Sequence, residues 1–308
     1  MKIGRAAREM RLSGVFAAAV TPNRMGTHDA DYSGLMDLLD FLAAAGVDGI
    51  CILGSTGEFL NFPFSDRQRL VYLGVKRSRV PLLVGVGHST LRGALELAGE
   101  AISAGADGLL IMPPYFFRYD QPEIERFYIE FARETGDAVP MLLYNIPQFT
   151  SGIAPATVRA LLDSGRFAGI KDSSGDGAYF EELLAFRRQR NFALFAGHDR
   201  LASRALAAGA DGIVSGCASA IPELLVALYR AHKAGNPARA EALQSTLNDF
   251  IDGIERFPTP IGVKHAVAIR GQKHGDMATP LSQASEGALA EFASWFKSWW
   301  PSIAPSLK

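Results

Sequence analysis

A lysine closes a short apolar run at Ala168-Gly169-Ile170-Lys171-Asp172-Ser173. If that run is a buried strand, Lys171 stands where a cation is poorly solvated, which favours the neutral, nucleophilic amine. Such an amine condenses with a ketone, and the iminium so formed is an electron sink that labilises bonds at the neighbouring carbon. A lysine that reaches solvent from a strand end is the plain alternative. A second run ends in Leu143-Tyr144-Asn145-Ile146-Pro147. The Tyr144 phenol can relay protons beside an imine, or serve as a core aromatic. A third ends in Gly54-Ser55-Thr56-Gly57-Glu58, two hydroxyls between glycines. Hydroxyl and backbone N–H donors there suit a carboxylate, and the glycines admit a ligand close to the backbone; a simple turn uses the same residues.

These residues need a scaffold that gathers strand ends. The sequence predicts eight strands, at Val15–Val20, Gly49–Gly54, Pro81–Gly87, Gly108–Pro113, Pro140–Ile146, Ala168–Asp172, Leu194–Gly197 and Gly212–Gly216. Amphipathic stretches alternate with them: Asp31–Ala45, Ser65–Ser78, Leu91–Ala104, Gln121–Thr135, Pro155–Asp163, Tyr179–Arg188, Leu201–Ala208 and Ile221–Ala234. Alternation of this kind builds a parallel sheet with crossover helices. Ser65 and Ser89 are expected as helix caps, and Gly46, Gly105, Gly209 and Gly235 as helix stops. A weak repeat, Ala-Gly-Val-Asp-Gly at 45–49 and Ala-Gly-Ala-Asp-Gly at 104–108 and 208–212, precedes three strands. Its first glycine reads as a left-handed C-cap, and its Asp-Gly turn as aiming the chain into the strand. Eight such units match a closed (β/α)8 TIM barrel, with its site at the C-terminal strand ends, better than an open doubly wound sheet. Residues 1–234 are therefore assigned to an α/β barrel carrying the active site. Residues 235–308, with helices expected at Asn236–Glu255, Thr259–Arg270 and Gln283–Ser298, form a C-terminal helical appendage packed on it, with no flexible linker.

Composition narrows the partners. The 308 residues are 48% hydrophobic and 20% charged with a net charge of −1, so the chain is globular and lacks the electrostatic footprint of a nucleic-acid or anionic-membrane binder. A small molecule is the expected partner. Cys51 and Cys217 both lie in apolar runs and read as core residues in a reducing compartment. The basic stretch Met1–Leu12 fails as a secretory signal and no window reaches a membrane span, so cytoplasm is the expectation. No His/Asp/Glu cluster has metal-ligand spacing, and no cofactor beyond the lysine is expected.

Taken together, Gly54–Glu58, Tyr144-Asn145-Ile146-Pro147 and Gly169-Ile170-Lys171-Asp172 resemble the dihydrodipicolinate synthase and N-acetylneuraminate lyase family of class I aldolases. Pro114-Tyr115-Phe116, Gly197-His198-Asp199 and the Gly-Ala-Asp-Gly turns extend the resemblance over the whole barrel. It implies that Lys171 binds pyruvate as a Schiff base, that Ser55, Thr56 and nearby amides hold its carboxylate, and that Tyr144 shuttles protons, with Ser55 in the relay. Gly54, Gly57, Ser173, Gly197 and Asp199 are implied substrate contacts, and Glu58 either shapes the loop or braces it through a salt bridge. Homotetramers built from tight dimers are implied as well.

Two departures bear on the substrate. Phe149 stands where the synthase branch carries an arginine for the carboxylate of aspartate semialdehyde, and a buried carboxylate facing a phenyl ring loses its charge-assisted bonds. Phe116 stands where many members place a second tyrosine across the dimer interface, leaving Tyr115 or water to complete a relay. Ser55 and Ile146-Pro147 look more like the lyase branch, yet Arg200 breaks that branch's acidic pair after Asp199. A shorter 2-keto-3-deoxy sugar acid is the expected substrate, one with a distal carboxylate if Arg200 faces the pocket rather than solvent. Ser173 and Ser174 either touch substrate or cap the next helix. His88 reads as a structural loop residue. The alternatives are a dihydrodipicolinate synthase, a dehydratase sharing the imine and, from another class, a non-catalytic 2-oxo acid sensor.

Overall fold

The computed structural model describes residues 11–307; residues 1–10 of the basic N-terminal stretch lie outside them. Strands β1 (Gly14–Ala18), β2 (Gly49–Ile52), β3 (Leu82–Gly85), β4 (Gly108–Ile111), β5 (Met141–Asn145), β6 (Gly169–Asp172), β7 (Ala193–Ala196) and β8 (Gly212–Ser215) run parallel and pair in sequence order, with β8 closing on β1. Every strand residue is buried. One face fills the barrel, where Phe16 and Phe195 meet edge to face at 5.4 Å, and the other packs under helices, so the strands read as unbroken apolar runs. The helices are α1 (Tyr32–Ala44), α2 (Phe64–Arg77), α3 (Leu91–Ala104), α4 (Gln121–Thr135), α5 (Pro155–Asp163), α6 (Gly177–Arg187), α7 (Ala202–Ala208) and α8 (Pro222–Lys233). The chain is thus a (β/α)8 barrel.

The repeat acts at the floor of the barrel. Gly46, Gly105 and Gly209 take φ of 85°, 92° and 112°, the left-handed turn that ends a helix. Each aspartate then brackets one residue of the preceding strand. Asp48 donates its N–H to Val15 O and accepts from Val15 N at 2.8 Å; Asp107 does the same with Leu82 and Asp211 with Leu194. The carboxylate supplies the acceptor a strand would otherwise lack at its start, which fixes the register of the neighbouring pair.

Helix starts depart from expectation. Helix α2 begins at Phe64 after Pro63, which puts Ser65 inside the first turn, and the cap of α3 is Thr90 rather than Ser89, its hydroxyl accepting from Gly93 N. Helix α6 starts at Gly177, with Asp176 accepting from Ala178 and Tyr179 N–H groups, so neither Ser173 nor Ser174 is its cap. Beyond the barrel, α9 (Pro237–Ile254) packs on α7 and α8, while α10 (Ile261–Ile269) lies against α9 and α11 (Gln283–Ile303). Phe250, Phe292, Phe296 and Trp299 join α9 to α11 through stacked and tilted rings. Helix α11 extends beyond Ser298 and carries Pro301 in its last turn.

Candidate active site

Strands β5 and β6 pair with Tyr144 opposite Lys171 and Asn145 opposite Asp172. Side chains alternate across a strand, so each pair shares a face. The Lys171 side-chain nitrogen sits 4.1 Å from the centre of the Tyr144 ring, and both side chains are buried. The Tyr144 hydroxyl lies 3.1 Å from Ser55 Oγ, in the loop after β2. On the other face, Asn145 Nδ2 donates to Asp172 Oδ1 at 2.8 Å while its own Oδ1 accepts from Ile153 N. Ser174 donates to the same carboxylate through N–H and hydroxyl. Burial raises the Asp172 carboxyl above its ordinary value, and these donors oppose the shift. The network stitches together the two strands that carry the amine and the phenol.

The lysine stem fits because β7 ends in glycine. A methyl group at Gly197 would lie 2.1 Å from Ser173 Oγ and 2.6 Å from Lys171 Cε. Gly197 N donates to Asp172 O at 2.7 Å and its carbonyl accepts from Ser173 Oγ, so the backbone has no slack. Below the lysine lies Cys51, whose thiol burial pushes up to about 11 against the opposing field of Lys171; it stays a neutral thiol.

The Ser55–Glu58 turn is held from two sides. Thr21 Oγ1 donates to Gly57 O at 2.7 Å, and Glu58 N donates to Ser55 O at 3.0 Å. Glu58 adopts φ 50°, unusual for a residue with a Cβ. Its carboxylate meets Lys264 Nζ at 2.6 Å, which makes Glu58 the brace the sequence allowed for, with a partner it did not name. Lys264 is fully buried on α10 and also donates to Asn23 Oδ1 at 2.6 Å. Burial lowers its basicity and Glu58 opposes that.

A cavity of about 260 Å³ opens over Lys171, lined by Ser55, Thr56, Tyr144, Ser173, Gly197 and Asp199 among others. Gly54 and Gly57 do not line it and stand behind the loop. Gln148, His198, Ile251, Ile254, Glu255 and Thr259 also line it, so part of the site comes from beyond residue 234. Asp199 Oδ2 accepts from Cys217 N at 3.2 Å, while Asp199 Oδ1 is buried without a hydrogen-bond partner. Arg200 stands at the cavity's edge, partly in solvent, and does not await a carboxylate. Its guanidinium binds Asp252 at 2.6 Å and Glu255 at 2.5 Å, and Glu255 foremost pushes its pKa up. A second, mostly apolar cavity of about 490 Å³ shares Ser55, Ile146, Phe149 and Thr259 with the first and adds Phe59, Leu60, Met112, Tyr115 and Phe116. Tyr115 packs edge-on against Phe59, and Phe116, at φ 81°, is 85% exposed.

His88 lies apart from both cavities, accepting from Thr90 at the start of α3 with its ring against Phe64. Lys264 escaped the sequence reading, although it interrupts the apolar run Ile261-Gly262-Val263-Lys264-His265-Ala266-Val267 much as Lys171 interrupts its own. Among the described residues, no three His, Cys, Asp or Glu side chains are grouped to hold a metal ion, and no helix is long and apolar enough to cross a membrane.

A closed barrel with a buried amine, a phenol and a hydroxyl gathered at its C-terminal mouth is an arrangement that suits lysine-dependent lyases. The chain belongs to the dihydrodipicolinate synthetase family, whose model matches residues 11–298. Members are class I lyases that work through a lysine Schiff base with pyruvate and no external cofactor. The chain is 32% identical over 277 residues to a 4-hydroxy-tetrahydrodipicolinate synthase of Methanoculleus marisnigri, covering 89% of this chain and 94% of that one. Among solved structures, it is similar to YagE, a prophage protein of this family from E. coli K12 crystallised with pyruvate (TM-score 0.85, 27% identity, 93% and 98% of the chains). It is similar too to a 2-keto-3-deoxygluconate aldolase from Picrophilus torridus (TM-score 0.82, 29% identity, 87% and 97%).

Proposed function

We propose that Lys171 forms an imine with the 2-oxo group of a 2-keto-3-deoxy sugar acid or related 4-hydroxy-2-oxo acid, and that the enzyme cleaves or forms the bond between a pyruvate unit and an aldehyde. The observation that carries this reading is the alignment of Lys171 under the Tyr144 ring with the Tyr144 hydroxyl on Ser55. The neutral amine adds to the ketone and water leaves. The Tyr144 phenol gives up its proton as the imine becomes an iminium; the phenolate then takes the proton of the C4 hydroxyl, the C3–C4 bond breaks, and its electrons move into the iminium to give an enamine and a free aldehyde. Protonation at C3 and hydrolysis release pyruvate and restore the amine. Ser55, Thr56 and the loop amides hold the carboxylate, with Gly54 and Gly57 shaping the loop behind them. Ser173, Gly197 and Asp199 face the rest of the substrate. The unpaired Asp199 Oδ1 supports a hydroxylated substrate, because a buried acceptor gains most from a donor.

The names of curated relatives favour a second reading, the synthase. It would need a cation for the second carboxylate of aspartate semialdehyde. The cationic side chains on the two cavity walls are Lys171 and Arg200, and Arg200 is already paired. Borohydride reduction with pyruvate, followed by peptide mapping, should place an adduct on Lys171. A panel of 2-keto-3-deoxy acids then separates cleavage, which yields pyruvate plus an aldehyde, from dehydration, which yields neither. Condensation of pyruvate with aspartate semialdehyde tests the synthase. A sensor would keep its affinity in Lys171→Ala, where an enzyme loses turnover.

Residues 1–234 carry the reacting groups and residues 235–308 close the site from the side. We further propose homo-oligomers, dimers pairing into tetramers, with Leu60, Phe116, Phe117 and Phe149, all more than half exposed around one rim, as the dimer face. The two buried, unpaired cysteines suit a reducing cytoplasm.

A further inference from the structure

Lys264 is the one fully buried lysine among the described residues, and it arises from α10, outside the eight β/α units. Both of its acceptors belong to the barrel mouth. Asn23 follows β1, and Glu58 closes the turn that carries Ser55 and Thr56. Nothing in the packing of α10 calls for a cation there, since its buried neighbours on the helix are Gly262, Val263, Ala266 and Val267. A buried cation is retained where its partners compensate its desolvation, and here both partners sit beside the reacting groups.

We propose that Lys264 is a positioning residue for the carboxylate of the 2-oxo substrate, an inference that rests on the Schiff-base reading above. Its ammonium holds Glu58 in the left-handed conformation, and Glu58 N in turn holds Ser55 O. The outer side of the same turn is fixed by Asn61 Nδ2, which donates to Glu58 Oε1 at 3.2 Å. Without Lys264 the Glu58 carboxylate keeps only the Asn61 amide as a donor, and the turn, having lost its inner anchor, swings outward into the adjoining cavity to hydrate the charge. Ser55 and Thr56 go with it. Lys171 and Tyr144 sit on β6 and β5, tied by the separate Asn145–Asp172 network, and keep their places. The consequence is selective: recognition of a carboxylate suffers while the amine remains able to condense with a ketone.

Two ketones separate these effects. Pyruvate carries the carboxylate and acetone does not. Full-length protein is titrated with each, the imine is reduced with borohydride, and the Lys171 adduct is quantified by peptide mass. Lys264→Met should raise the pyruvate concentration for half-maximal trapping tenfold or more and leave acetone trapping within twofold of the parent. An unchanged pyruvate titration, or equal losses on both ketones, overturns the proposal. If Lys264→Met does not fold, Glu58→Gln removes the partner charge alone and should raise half-saturating pyruvate at least threefold with acetone unaffected; no change there overturns it equally. Absence of a pyruvate adduct in the parent protein refutes the Schiff-base reading instead, so the two failures are told apart by the parent titration.

Discussion

Gly197→Ala tests the site at its tightest point. The added methyl would sit 2.6 Å from Lys171 Cε and 2.1 Å from Ser173 Oγ. Carbon–carbon contacts relax at about 3.6 Å, so the lysine stem must retreat by about 1 Å. The backbone of Gly197 cannot yield instead, because its N–H is bonded to Asp172 O and its carbonyl to Ser173 Oγ. A misplacement of about 1 Å in a reacting group lowers rate by about a hundredfold, which corresponds to about 2.7 kcal/mol of barrier. Overpacking should destabilise the fold by a further 1–3 kcal/mol or so, which a barrel of this size tolerates. The assay is the rate of borohydride trapping of pyruvate on Lys171 in protein shown by circular dichroism to be folded. Trapping at the parent rate in folded Gly197→Ala would show that the amine does not depend on the space this glycine leaves, and the account of how the strand ends place it would be wrong.

Tyr144→Phe keeps the ring beside Lys171 and removes the hydroxyl that meets Ser55 Oγ, so pyruvate trapping should persist while steady-state cleavage falls by about a hundredfold or more. Phe149→Arg should raise kcat/KM for aspartate semialdehyde by about tenfold, the equivalent of one charge-assisted hydrogen bond, measured by condensation with pyruvate. His265 and His274 stack at 6.2 Å, and burial lowers the pKa of each. Because the folded values lie below the ordinary value of about 6.5, their neutral forms stabilise the fold above that pH and the contribution is lost as pH falls through the lowered values. Melting temperature should therefore drop on acidification below about 6.5, and His274→Gln should flatten that slope. Asp48→Ala removes the acceptor of Val15 N and should cost about 1 to 2 kcal/mol, read from the urea midpoint.

The barrel was legible because its strands are buried on both faces and so appear as short unbroken apolar runs separated by helices, several of which end in a glycine stop. Their ends were harder to place. Val86 still donates its N–H to Leu110 O of β4 just past the end of β3, whereas Leu53 continues the apolar run of β2 but turns away from the ladder at φ 56°, because burial at a barrel mouth does not require strand pairing. Lys171 and Tyr144 stood out as polar groups at the ends of apolar runs. Lys264 carried the same signature, but in a segment taken for an appendage, and its role depends on Glu58 and Asn23, more than two hundred residues away. The partners of Arg200 lie 52 and 55 residues on, in and just after α9, a proximity that only the packing of α9 on α7 reveals.

The three aspartate brackets have a practical corollary. They lock strand register at the end of the barrel remote from Lys171, so the opposite rim is relieved of that duty. Side chains such as Gln148 and Thr259, which line the cavity outside the proposed dimer face, can then be randomised together to recruit new aldehydes without unsettling the scaffold, which makes this chain a starting point for directed evolution of stereoselective carbon–carbon bond formation.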